Sequence, residues 1–142
     1  MNTQAEQSKA VVRRFNQEVI EQGNEQSFEE LMDKQFINHS APNGMDAGPG
    51  GMLYFFNSLL RPALADLQVT IHDQVAEGDL VTTRKTISGM HTGNFMGIAP
   101  TKCHVSIDVI DIVRIKDGKY YEHWGITSLP VVLAALKEDK IA

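Results

Sequence analysis

The sequence predicts an α+β fold in which a curved antiparallel sheet is packed by N-terminal helices around an apolar pocket, with a short helix at the C-terminal end. Three observations support this. Apolar residues recur at helical spacing through the N-terminal part of the chain. Later on, Gly78-Asp79 and Asp117-Gly118 each separate two long segments rich in alternating apolar residues, the mark of a hairpin. Helices grouped ahead of hairpin-connected strands indicate α+β rather than alternating βαβ units. With 142 residues and 42% hydrophobic content the chain can bury one core, and no repeat or linker divides it, so residues 1–142 read as a single domain.

Thr3-Gln4-Ala5-Glu6 has the form of a capping box and opens a helix carrying Val12, Phe15 and Val19, with Gly23 as its stop. A second box, Ser27-Phe28-Glu29-Glu30, predicts a shorter helix with Phe28, Leu31 and Met32, before an extended segment at Phe36-Ile37-Asn38-His39. After a turn-rich stretch from Ala41 to Gly51, the stripe Met52, Phe55, Phe56, Leu59 and Leu60 predicts a third helix that ends near Arg61-Pro62.

Period-two alternation from Leu67 to Val75 marks a half-buried strand. A two-residue turn at Gly78-Asp79 pairs Glu77 with Leu80 and, counting outward, sets Asp73 opposite Arg84 as an ion pair. The same counting from Asp117-Gly118 sets Asp111 opposite Trp124 and Ile112 opposite His123, unless a bulge intervenes. Ser128 is placed to cap a last helix with Pro130 in its first turn.

Composition narrows the function. A formal net charge of -5 supplies no basic surface for nucleic acid. No apolar run approaches the ~20 residues of a membrane span, and the polar start MNTQAEQSKA is unlike a secretion signal. With Cys103 as the one cysteine, the expectation is a soluble cytoplasmic protein. Patterns such as G-x-S-x-G, the P-loop, G-x-G-x-x-G and H-E-x-x-H do not occur, and the five histidines are not spaced as metal ligands, so no metal is expected.

What stands out is charge inside apolar strands. Asp108 and Asp111 interrupt Val105 to Val113, and being three apart they face opposite sides. Asp111 reads either as a pocket acid/base, its carboxyl tuned by burial, or as a structural carboxylate bound to the Trp124 indole or a backbone N–H. Asp108 reads as solvent-facing, paired, or at a dimer interface. His39 and His91 sit where the chain could cross a pocket mouth, and either could instead make ordinary loop hydrogen bonds. His123 and Trp124 must point to opposite faces; Trp124 is the one expected in the pocket. Met52, Phe55 and Phe56 are core residues that could also wall a cavity, with Phe95 and Met96 in the Gly93 to Thr101 loop as further substrate-binding candidates.

Phe36-Ile37-Asn38-His39-Ser40-Ala41-Pro42, His91-Thr92-Gly93, Phe95-Met96-Gly97-Ile98-Ala99-Pro100-Thr101, Ile110-Asp111-Ile112-Val113-Arg114 and Glu122-His123-Trp124-Gly125 follow in an order that resembles the SnoaL-like polyketide cyclases and the ester cyclase group of the NTF2-like superfamily. The resemblance spans nearly the whole chain. It implies a cone-shaped α+β barrel, a homodimer formed through the sheet, and ring closure by intramolecular aldol condensation in a hydrophobic pocket, with no metal and no organic cofactor. Relatives commonly carry an acid/base aspartate shortly after Glu-His-Trp, whereas this chain has Ile126-Thr127-Ser128.

Two readings follow. One is a cofactor-independent cyclase or isomerase acting on a small hydrophobic carbonyl compound through Asp111, His91 and His39, with Trp124 in the binding wall. The other is a non-catalytic domain that binds a small apolar ligand or a partner chain. A pocket carboxylate raised by burial favours the first, and fully ion-paired carboxylates favour the second.

Overall fold

The computed structural model describes residues 3–138. Helix α1 spans Gln4–Arg14 and runs on as a π-helical segment, Phe15–Glu21. The predicted capping box is present, with Thr3 accepting from the Glu6 N–H, and Gly23 ends the helix at φ +70°. Helix α2 is Glu25–Leu31, strand β1 Met32–Asn38, and helix α3 Pro49–Tyr54, which likewise continues as a π-helical segment, Phe55–Leu60. Strands β2 (Leu64–Glu77), β3 (Leu80–His91), β4 (His104–Lys116) and β5 (Lys119–Thr127) precede helix α4, Leu129–Glu138.

The second capping box does not form. Asn24 caps α2 by accepting from the Ser27 N–H at 3.0 Å, so the helix starts ahead of the predicted position. The buried Ser27 hydroxyl turns instead to Glu18 at 2.6 Å. Ser128 does precede α4, but its hydroxyl accepts from the Asp108 N–H, and the Thr127 hydroxyl accepts from the Leu129 N–H.

The sheet order is β1-β5-β4-β3-β2, and the sheet is open rather than a closed barrel. It is mixed, because β1 runs parallel to β5 while every other pair is antiparallel. Glu77 pairs with Leu80 as the first turn predicts, and Arg84 reaches Asp73 at 2.6 Å. The second turn pairs Lys116 with Lys119, but Arg114 faces Glu122 while Ile115 faces Tyr120, leaving Tyr121 unpaired as a bulge. Beyond it the register moves by one: Asp111 lies opposite Gly125, and Ile112 opposite Trp124.

That shift decides which side chains face inward. The inner face of the sheet carries Val81, Thr83, Lys85 and Ile87 from β3 and Val105, Ile107, Asp111, Val113 and Ile115 from β4, all buried. The helices cover this face with Val12, Phe15, Val19, Phe56 and Leu60, and Phe15 stacks on Tyr120 with ring centroids 3.9 Å apart. Arg61 locks the two π-helical segments together by donating to the carbonyls of Val19 and Ile20.

Candidate active site

Between the sheet and α3 lies a cavity of about 200 Å³. Its walls are largely apolar, built from Ile20, Met52, Phe55, Phe56, Leu60 and Ile87, with Ala41, Pro42 and Met45 also lining it. At the sheet end the lining turns polar, with Asp111, Lys85, His123 and Asn38. An apolar chamber with a few convergent polar groups is the usual form of a small-molecule site.

Asp111 is 4% exposed and stands at the centre of that polar end. Its Oδ2 lies 3.2 Å from Lys85 Nζ and 3.4 Å from His123 Nε2. Its Oδ1 is buried and has no hydrogen-bond partner. Burial pushes the carboxyl pKa up, but the Lys85 ammonium and the His123 ring more than offset this and hold it below the ordinary carboxylate value. Asp111 is therefore ionised: one oxygen is paired and the other is available.

Lys85 is as buried as Asp111 and donates to Asn16 Oδ1 at 2.6 Å. Asn16 sits in the π-helical part of α1, where its Nδ2 bonds back to the Val12 carbonyl at 2.8 Å, so its oxygen is the atom presented to Lys85. His123 is oriented from its other nitrogen. Asn38 Oδ1 already accepts from the Ser40 N–H at 3.0 Å, and as an acceptor it takes the His123 Nδ1–H at 2.8 Å. Nε2 is thereby aimed at Asp111. Gly125 leaves this corner open: a Cβ there would lie 3.0 Å from His123 Cε1 and 3.3 Å from Asp111 Cβ.

Of the residues expected from sequence, Asp111, Met52, Phe55 and Phe56 line the cavity, while His39, His91, Trp124, Phe95 and Met96 do not. The Tyr121 bulge puts Trp124 on the outer face, where it stacks on His39 at 4.8 Å. His39 binds Glu122 at 2.8 Å, which with Arg114 and Asp79 makes a surface ion-pair network. His91 is fully buried and fastens the following loop, its Nδ1 accepting from the Thr101 N–H, with Phe95 buried against it edge to face. Met96 is exposed at φ +49°. Asp108 faces outward and accepts from the Thr86 hydroxyl.

Sequence reasoning missed Lys85, Asn38 and Asn16, and it chose Trp124 over His123 for the pocket because it did not foresee the bulge. Lys85 stands in Thr82-Thr83-Arg84-Lys85-Thr86, which reads as polar on both faces, so only its pairing partners reveal it. Among the described residues no three His, Cys, Asp or Glu side chains converge as metal ligands would. No helix among them is long and apolar enough to cross a membrane.

The family model for SnoaL-like polyketide cyclases matches residues 10–136. The chain belongs to that family. A search of curated proteins finds no match. Among solved structures, the SnoaL-like fold recurs in IdmH from Streptomyces antibioticus, described as a candidate polyketide cyclase, at 27% identity and TM-score 0.79, covering 92% of this chain and 99% of that one. It recurs in AclR from Streptomyces galilaeus, described as a candidate hydroxylase, at 25% identity and TM-score 0.80, covering 94% and 87%. A SnoaL-like polyketide cyclase candidate from Jannaschia sp. CCS1 superposes with TM-score 0.83 at 23% identity over 97% and 96% of the two chains. The fold is thus the NTF2-like α+β cone. Neighbours of similar identity bear different activity names, so the reaction has to be argued from the site itself.

Proposed function

We propose that this SnoaL-like protein is a cofactor-independent cyclase or isomerase that takes a proton from the carbon beside a carbonyl in a small hydrophobic substrate. The observation carrying this reading is Asp111 Oδ1, a buried and unpartnered carboxylate oxygen at the polar end of an otherwise apolar chamber. Leaving such an oxygen unsatisfied is costly unless a ligand brings it a proton.

In the proposed reaction the substrate C–H bond breaks, its proton goes to Asp111 Oδ1, and the electron pair moves onto the carbonyl oxygen as an enolate. For an intramolecular aldol step the enolate carbon then bonds a second carbonyl carbon of the same molecule, and the new alkoxide takes the proton held on Asp111 Oδ1, which returns the carboxylate to its starting state. The apolar walls exclude water and fold the chain so that the reacting carbons approach. Because its carboxyl is held low, Asp111 is ionised and able to accept a proton, but it is a weaker base than the raised carboxyl that the catalytic reading calls for. Half of the Asp111 carboxylate is ion-paired, which is the feature that favours the non-catalytic, ligand-binding reading.

Chamber size bears on the substrate. An apolar cavity of about 150 Å³ holds benzene, so about 200 Å³ with an open mouth suits a one- or two-ring carbonyl compound. The test uses 2-tetralone in deuterated buffer. The protein is expected to speed deuterium exchange beside the carbonyl, and Asp111→Asn to return it to the buffer rate. Exchange at the buffer rate with the wild type, or unchanged exchange in the variant, leaves the ligand-binding reading instead.

The proposal includes a homodimer formed through the outer sheet face. Ile110, Ile112 and Ile126 are exposed there on adjacent strands, with the Asp73–Arg84 pair beside them. Sedimentation at a monomer mass would remove this part of the proposal.

A further inference from the structure

Lys85 has no place in the proton transfer just described, yet it is the most expensive residue in the chamber. Burying an ion pair generally stabilises a fold less than apolar side chains of similar volume would. Here both partners are about 5% exposed at the side chain, and a third group, Asn16, is committed to holding the cation. Structural pairing alone does not require such a residue to line the cavity, and Lys85 does.

An ammonium has three N–H bonds. Asn16 Oδ1 takes one at 2.6 Å and Asp111 Oδ2 a second at 3.2 Å. Among the described residues no third acceptor is found, and Lys85 lines the chamber together with its partner Asp111. Its position is fixed from both sides: β3 is locked between β2 and β4, with Lys85 opposite Ile71 and Val109, and Asn16 is tied to Val12.

We propose that Lys85 is the oxyanion-binding group of this site, and that the ligands it selects are carbonyl compounds or phenols bound as enolates or phenolates. The proposal rests on Asp111 acting as the base. Before reaction, the positive charge of Lys85 is shared with Asp111 Oδ2. When Asp111 Oδ1 receives the substrate proton, the carboxylate becomes a neutral acid and its hold on Lys85 falls. At that moment negative charge appears on the substrate oxygen, and the ammonium becomes the counter-ion of the enolate. The interaction is thus stronger in the transition state than with the neutral substrate, which is the condition for raising the rate rather than merely tightening binding. No atom is gained or lost: one C–H bond becomes one O–H bond on Asp111, and the electron pair rests on the oxygen facing Lys85.

A phenol that fits sets its oxygen against the same ammonium, and its proton leaves to solvent. The probe is 4-nitrophenol, whose neutral and ionised forms absorb at different wavelengths. Titrated with the full-length wild-type protein, the bound probe is expected to ionise about 1–3 pH units below the free probe, the range an adjacent cation imposes. Lys85→Met abolishes that displacement, and Lys85→Arg keeps part of it. A wild type that binds the probe in its neutral form, or does not bind the phenolate, overturns the proposal without any variant, so a poorly folding Lys85→Met does not shelter it.

The 2-tetralone exchange separates this proposal from the reading beneath it. Lys85→Met is expected to lose about a hundredfold in exchange. Loss in Asp111→Asn with full exchange in Lys85→Met defeats the oxyanion role alone. Full exchange in Asp111→Asn defeats the base. Borohydride trapping of 2-tetralone on Lys85 would show an imine in place of an ammonium contact and would also overturn the proposal.

Discussion

Replacing Asp111 by leucine removes one charge of a buried pair and leaves the other. Lys85 and Asp111 are both 4% exposed, so the orphaned ammonium has no water to turn to and keeps only Asn16 as an acceptor. Breaking such a pair from one side costs about 3–5 kcal/mol. With a urea dependence of about 2 kcal/mol per molar for a domain of this size, the unfolding midpoint should fall by about 1.5–2.5 M. Removing both charges has a different outcome. Replacing a whole buried pair by apolar groups ranges from neutral to stabilising by about 4 kcal/mol, while Asn16 Oδ1, now without its donor, costs about 1–3 kcal/mol. Asp111→Leu/Lys85→Met is therefore expected near wild-type stability and well above Asp111→Leu alone, with a coupling of several kcal/mol in the double-mutant cycle. Urea unfolding followed by tryptophan fluorescence measures all four corners. An Asp111→Leu variant as stable as the wild type, or additive effects of the two substitutions, refutes the claim that the two side chains form a charged pair in the folded protein.

Further outcomes follow from the same geometry. Because the Asp111 carboxyl is held below its ordinary value when folded, its contribution to stability is fully present above the unfolded value of about 3.9 and is lost as pH falls through the lower folded value; acid unfolding of Asp111→Leu should be less steep than that of the wild type. Gly93→Ala sets a Cβ 2.1 Å from the Pro62 carbonyl oxygen, a backbone atom that cannot turn aside, and should cost about 1–3 kcal/mol by thermal or urea unfolding. His39→Ala loses a surface contact with Glu122 and should leave 2-tetralone exchange within about twofold of wild type, since surface ion pairs are worth little. Phe55→Ala removes a chamber wall, and exchange of a three-ring ketone should rise relative to that of 2-tetralone.

Much of the fold was legible in the sequence because its signals are local. The Thr3 capping box, the Gly78-Asp79 turn and the Asp73–Arg84 register all follow from spacing and turn chemistry. Asp111 was legible because a carboxylate in an apolar strand needs an explanation. The groups that hold it were not, because they arrive from distant elements: its partner Lys85 from a strand polar on both faces, Asn16, which holds Lys85, from a π-helical turn, and Asn38, which orients its other partner His123, from β1. The second register failed at Tyr121. No two-residue turn rule foretells an extra residue four positions from the turn's first residue, and there Lys116 lies over the Tyr121 ring at 4.5 Å. The Ser27 box lost to Asn24, which offered an equally good cap one turn earlier.

The Tyr121 bulge has an evolutionary meaning as well as a geometric one. Removing that one residue would turn over the rest of β5, since side chains alternate with every position. Trp124 would enter the chamber and the imidazole of His123 would leave it, with no other codon altered. A lineage could thus trade an imidazole contact to the Asp111 carboxylate for aromatic stacking in a single in-frame deletion, or the reverse in a single insertion. Homologues that share every residue around this strand but differ in length by one should therefore be expected to recognise different molecules.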